Sequence, residues 1–173
     1  MAHQYLTAPL GRHAGSCEWL ESTFFADVVG ATISPSQAGD CKLVSQLPAL
    51  RHLVVRLQRQ DWPVMQHFTN IRSLHVPISD GLRDDDFRYL RPLAALESVR
   101  LGIYDNSIVT DGALEHLKTL KHLRYLELDR LFNLTPAGIQ ELSDALPKCK
   151  IKYRLCSDPP YRVLPWVTVG INE

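Results

Sequence analysis

The side chains with most capacity for chemistry recur at the third, fifth and seventh places of an apolar phrase, LxxLxL. Two copies stand out in the 173-residue chain, carried by Leu96, Val99, Leu101 and by Leu123, Leu126, Leu128. Successive side chains of a strand alternate between its faces, so the middle row of outward residues reads Thr32, Val54, His75, Arg100, Glu127, Lys150. Arg100, Glu127 and Lys150 then lie on neighbouring strands roughly 5 Å apart. Such a row is either a cross-strand charge ladder that satisfies itself, worth a few tenths to about 1 kcal/mol per exposed pair, or a polar recognition strip. The strip would be flanked by His52, Arg56, Tyr125, Asp129, Lys148 and Lys152. Tyrosine beside arginine suits recognition, because these residue types carry much of the binding energy of protein interfaces.

Other clusters offer less. Lys148, Lys150 and Lys152 alternate, a comb that could meet phosphate or an acidic partner; lysines also guard an edge strand against unwanted pairing, and that use is preferred here. Of the seven histidines, His52 and His75 fall in different rows, and His116 and His122 stand six apart, so no pair has HExxH-like spacing. Asp84, Asp85 and Asp86 invite a cation, yet three consecutive carboxylates cannot all converge on one ion, and a helix N-terminus accounts for them. There is no GxSxG and no Gly-rich phosphate loop, and Cys41 and Cys149 occupy apolar columns where a thiol acts as a small hydrophobe. The expectation is a chain without catalytic residues, metal or cofactor.

Composition narrows the class of partner. Nineteen basic and nineteen acidic residues give a formal net charge of +0, so no broad field draws nucleic acid or an anionic membrane. A charged partner must be met by a local patch. The first twenty residues hold no continuous apolar stretch, and no run approaches the roughly 18 to 20 residues that span a bilayer. The chain as given reads as soluble and cytoplasmic. Four cysteines in no CxxC or CxxxC pair argue against a zinc site or redox dithiol, and reduced thiols are expected.

The elements that must position these residues follow from a period. Fourth places of the phrase fall at Ala31, Leu53, Leu74, Val99, Leu126 and Cys149, separated by 22, 21, 25, 27 and 23 residues by subtraction. Sixth places are Ile33, Val55, Val76, Leu101, Leu128 and Ile151, apolar in every copy. Six short strands, each burying one face, predict a parallel sheet. Between them apolar residues recur in steps of three: Cys41, Val44, Leu47; Trp62, Met65, Phe68; Phe87, Leu90, Leu93; Leu114, Leu117, Leu120. The last copy slips, with Ile139, Leu142 and Leu146. Thr110 and Thr135 are N-cap candidates and Pro136 fits a first helical turn.

The ends lie outside the period. Trp19, Phe24, Phe25 and Val28 supply the bulk of a helical N-terminal cap, and the tail after Ile151, with Pro159, Pro160 and Pro165 before Trp166, Val167, Val169 and Ile171, folds back as a cap or edge strand or docks elsewhere. The chain divides into an N-terminal segment and cap over 1–24, a repeat domain over 25–151 and a tail over 152–173.

The phrases WLESTFFADVVGATIS, VTDGALEHLKTLKHLRYLEL and LTPAGIQELSDALPKCKI, spanning Trp19 to Ile151, resemble the short leucine-rich repeat proteins of Planctomycetes and related bacteria, with their VTDAGL-type units. The resemblance implies an α/β leucine-rich repeat solenoid, about six short parallel strands on a concave face and helices on a convex one. It implies a binding or structural role without catalytic residues. Many relatives carry a membrane anchor upstream, which would make this chain membrane-anchored or exported if such a segment is missing here. At the ninth place, where many leucine-rich repeats set an asparagine ladder, stand Gln58, Ser79, Tyr104 and Leu131.

The expected function is a non-catalytic scaffold that binds another protein through a concave strip of His52, Arg56, His75, Arg100, Tyr125, Glu127, Asp129 and Lys150, with no nucleic-acid partner. The alternatives are a structural or assembly subunit that self-associates or docks through its tail, and an adaptor or assembly factor of a larger complex. The last resembles short repeat proteins of respiratory-complex assembly or ubiquitin-ligase receptors, but no F-box-like segment or clear presequence is visible.

Overall fold

Steps of three match the 3₁₀ turn, in which residues i and i+3 eclipse on one face. In the structure, a computed structural model describing residues 4–6, 28–33, 44–103, 108–131, 133–155 and 164–170, the apolar residues form a staircase of such turns. Each donates its backbone N–H to the carbonyl of the one before: Phe68 to Met65 at 3.1 Å, Ile71 to Phe68 at 3.3 Å, Leu93 to Leu90 at 3.0 Å, Leu96 to Leu93 at 3.1 Å, Leu120 to Leu117 and Leu123 to Leu120 at 3.0 Å. Arg59–His67 and Asp84–Leu90 are accordingly 3₁₀ helices, while α1 (Asp111–Leu117) and α2 (Pro136–Ala145) are α-helical. Thr110 and Thr135 cap α1 and α2, their hydroxyls accepting from the N–H of Gly112 at 3.2 Å and Gly138 at 3.0 Å, and Pro136 sits in the first turn of α2.

The strands are β1 (Gln4–Leu6), β2 (Val28–Ile33), β3 (His52–Val55), β4 (Leu57–Gln58), β5 (Ser73–Asp80), β6 (Ser98–Ile103), β7 (Tyr125–Leu131), β8 (Lys150–Leu155) and β9 (Val167–Val169). They form one sheet in the order β1-β2-β3-β5-β6-β7-β8-β9, with β4 beside β5. Every pairing is parallel except the antiparallel β8–β9, and the sheet does not close into a barrel. Ala31, Leu53, Leu74, Val99, Leu126 and Ile151 are partners along one row. All six are buried, as are Trp62, Met65, Phe68, Phe87, Leu90, Leu93, Leu114, Leu117 and Leu120. The helical segments stack in chain order behind the sheet, and the rings of Trp62 and Phe87 join two of them at 5.9 Å.

The last copy departs from the sequence expectation. The register gives the fourth place to Ile151 rather than Cys149, and the sixth to Tyr153. The cause lies in α2, where Leu142 to Leu146 is a step of four: Leu146 donates to the carbonyls of both Leu142 and Ser143, and Cys149 then donates to Leu146 at 2.9 Å. Cys149 thus becomes the counterpart of Leu123, and only Lys150 separates it from Ile151. Every outward residue after it shifts by one row.

The ends differ too. Val28 opens β2, and Gln4–Leu6 adds a parallel strand outside it. Trp19, Phe24, Phe25, Cys41, Tyr104 and residues 156–163 lie outside the described residues. Strand β8 runs through Leu155. The tail folds back, Ile151, Lys152 and Tyr153 pairing with Val169, Thr168 and Val167, so β8 is an interior strand. Among the described residues no helix is long and apolar enough to cross a membrane.

Candidate functional site

One sheet face is buried under the helical segments; the other carries the chemistry. Alternation puts Tyr125, Glu127 and Asp129 of β7 on the open face, each half-buried, between the buried Leu126 and Leu128. Parallel pairing sets Ser98, Arg100 and Gly102 of β6 beside them on one side and Lys150, Lys152 and Arg154 of β8 on the other. The middle row therefore reads His75, Arg100, Glu127, Lys152. Lys150, expected beside Glu127, stands instead beside Tyr125, through the one-residue deletion after Cys149.

The two carboxylates are held within the face. Glu127 accepts the Tyr125 hydroxyl at 2.5 Å and lies 3.8 Å from the Lys152 ammonium. Asp129 takes a two-point bond from Arg154, Nε to Oδ1 at 2.7 Å and Nη2 to Oδ2 at 2.9 Å. Two-point guanidinium–carboxylate bonds are the stronger, more directional kind. Arg154 also lies over the Trp166 ring, 4.6 Å from its centre, with the Lys152 ammonium at 4.1 Å. Trp166 reaches this position because the antiparallel return puts it on the same face as Thr168, the partner of Lys152.

Arg100 stands apart from this closed set. Its guanidinium lies 5.6 Å from the centre of the Tyr125 ring, and among the described residues it carries no ion pair. The same is true of Lys150 and Arg56, both exposed. His52 is exposed at the start of β3, and with Arg56 it lies three strands from β7, roughly 14 Å away at the usual strand spacing. These two flank the cluster without joining it.

Two titrations report the field here. Desolvation, the hydrogen bond to Glu127 and its negative charge push the Tyr125 phenol up to about 12, with Arg100 pulling weakly the other way. His75 is lowered below the usual imidazole value by burial and by Arg100, while Glu127 opposes them. His75 is thus neutral at neutral pH, a neighbour for the Arg100 charge that does not repel it.

The remaining clusters resolve into structural roles. Asp84 accepts the backbone N–H of Thr110 at 2.7 Å and its hydroxyl at 2.5 Å; Asp86 accepts from Arg83 N–H at 2.9 Å and Arg59 Nε at 2.8 Å; Asp85 is exposed. Three adjacent carboxylates thus face three ways. Among the described residues no group of three His, Cys, Asp or Glu converges as a metal site would require. Cys149 is a free, buried thiol pushed up to about 11 by desolvation, and so stays protonated.

Sequence reasoning passed over Arg154 and Trp166. Arg154 continues the alternation of Lys150 and Lys152 and was legible as such; Trp166 required knowing that the tail turns back in antiparallel register. In comparison with known proteins, no protein-family model matches the sequence, and no curated protein matches it.

Proposed function

We propose that the chain is a leucine-rich repeat solenoid that serves as a non-catalytic scaffold, binding another protein through the concave, open face of its sheet. One observation carries this: adjoining strands β6, β7 and β8 set aromatic and charged side chains of recognition type in register on a face that, among the described residues, no helical segment covers. Tyr125, Arg100 and Trp166 are the residue types that anchor interfaces. Glu127 and Asp129, fixed by Tyr125, Lys152 and Arg154, hold that surface in one geometry before a partner arrives, which lowers the ordering cost of binding.

The test is capture from native lysate by the intact chain beside a charge-reversed triple variant, Arg100→Glu, Glu127→Lys and Lys150→Glu, whose thermal unfolding shows it folded. A protein retained by the first and lost from the second supports the reading. The same set of proteins on both contradicts it.

A subunit that self-associates or docks through its tail has one observation in its favour, the exposure of Leu164 at 42% and Val167 at 41%. Sedimentation of the intact chain beside one ending at residue 163 separates the two. A dimer that becomes a monomer on truncation favours the tail; an unchanged monomer favours the face.

A further inference from the structure

Among the described residues the open face is not neutral, although the chain is. Its outward rows carry Arg56, Arg100, Lys150, Lys152 and Arg154 against the carboxylates of Glu127 and Asp129. Both carboxylates are already bonded within the face. The surplus is therefore cationic and sits on Arg100, Lys150 and Arg56, the three that have no ion pair among the described residues. Lysines on a sheet are often explained as guards of a free edge. That explanation fails for β8, because β9 covers its outer edge and the lysines point from an interior strand.

We infer that the partner presents an acidic segment, rich in Asp and Glu, which lies across β6, β7 and β8 between Arg100 and Lys150. This deepens the interaction reading and rests on it. Arg100 is exposed and carries no ion pair among the described residues, its guanidinium carbon lies 5.6 Å from the centre of the Tyr125 ring, and a guanidinium takes a carboxylate by a two-point bond. Lys150, the register partner of Tyr125 on the opposite side, supplies the second cation. Two strand spacings separate β6 from β8, roughly 10 Å, a gap bridged by acidic side chains a few residues apart. Basic residues interleaved with aromatics also suit single-stranded nucleic acid, which needs open ring faces for its bases. Here the Arg100 guanidinium lies over the Tyr125 ring at 5.6 Å, and Lys152 and Arg154 over the Trp166 ring at 4.1 and 4.6 Å, so cations already stand over faces that bases would need.

Fluorescence anisotropy with a labelled decapeptide of alternating Asp and Glu, titrated with the full chain, tests this. Saturable binding is expected, weakening steeply with added salt and by about tenfold or more in Arg100→Glu/Lys150→Glu. A second variant, Arg56→Glu/Lys150→Glu, leaves both Tyr125 and Arg100 unchanged and is expected to weaken binding in the same direction. Both substituted sets are exposed, and thermal unfolding close to that of the parent confirms folding. The inference is overturned by no saturable binding, by equal affinity of the variants, or by tighter binding of an oligothymidine of equal charge. A lysate partner lost from the triple variant, with no acidic-peptide binding, removes this inference alone. A partner that ignores the triple variant removes the interaction reading as well.

Discussion

At the scale of single residues, the face is organised by what Glu127 does. One of its oxygens, Oε2, accepts the Tyr125 hydroxyl and faces the Lys152 ammonium, while Arg100, its neighbour in the row, makes no ion pair with it. The consequence can be read by titration. Folded, Tyr125 keeps its proton up to about 12; unfolded, it would release it near 10.0. The unfolded chain therefore binds fewer protons in that window, so this contribution to stability is complete below pH 10 and is lost as pH rises through 10 to 12. The phenolate difference spectrum between the parent and Tyr125→Phe is expected to show a midpoint near 12, falling in Glu127→Gln; a midpoint at 10 in the parent would mean the bond is not made. His75 shifts the opposite way in its own range: Arg100→Ala is expected to raise its NMR titration midpoint, because a cation that disfavours imidazolium has gone. No change there would separate His75 from the Arg100 charge.

At the scale of elements, successive helical segments are tied by carboxylates. Asp84 binds the N–H and hydroxyl of Thr110 at the start of the next helical segment, and Asp111 does the same for Thr135, at 2.9 and 2.6 Å. Each carboxylate lies against the start of the following helix, where the backbone N–H groups and their partial positive charge favour it. This is why glycine follows: a Cβ on Gly138 would stand 2.2 Å from the Asp111 carboxyl carbon. Gly138→Ala is expected to destabilise by about 1 to 3 kcal/mol. Asp111→Ala is expected to cost a similar amount through its orphaned donors. The double variant should be less unstable than the sum, since each removes the other's clash or bond. Strict additivity in chemical denaturation would contradict the contact. At the far end, Trp166→Ala is expected to lower stability by about 1 kcal/mol, the scale of partly exposed cation–π contacts, and to leave the β7–β8 rows in place.

Much of this was legible. The sheet row from Ala31 to Leu126 was fixed by apolar period alone, because a one-residue slip would turn every Leu and Val of a strand to water. The steps of three marked helical segments, while their 3₁₀ form over Arg59–His67 and Asp84–Leu90 came only with the backbone bonds. The last copy was not legible, because Cys149 and Ile151 are both apolar and fit the frame in either place; the decision came from the four-residue step inside α2 and the backbone bond from Cys149 to Leu146. Nor could Asp84 be distinguished from Asp86 as a partner of the next repeat rather than of Arg59, since that choice is made by geometry across more than twenty residues of chain.

At the scale of the whole molecule, zero net charge conceals an uneven distribution. Glu127 and Asp129 are bonded within the open face while Arg100 and Lys150 have no ion pair among the described residues, and the helical layer buries apolar side chains. On the proposed reading, recognition is by position: strands supply rows, and rows bring Arg100, Tyr125 and Lys150 together from segments about fifty residues apart at the extremes. The direct measurement is the footprint of a captured partner on the full chain, read by amide hydrogen exchange and side-chain NMR shifts. Perturbation centred on Arg100, Tyr125, Glu127, Lys150 and Lys152, fading toward the helical segments, is the expected result. A footprint on Arg59–His67, α1 and α2, or confined to Leu164 and Val167 of the tail, would contradict a binding role for the open face.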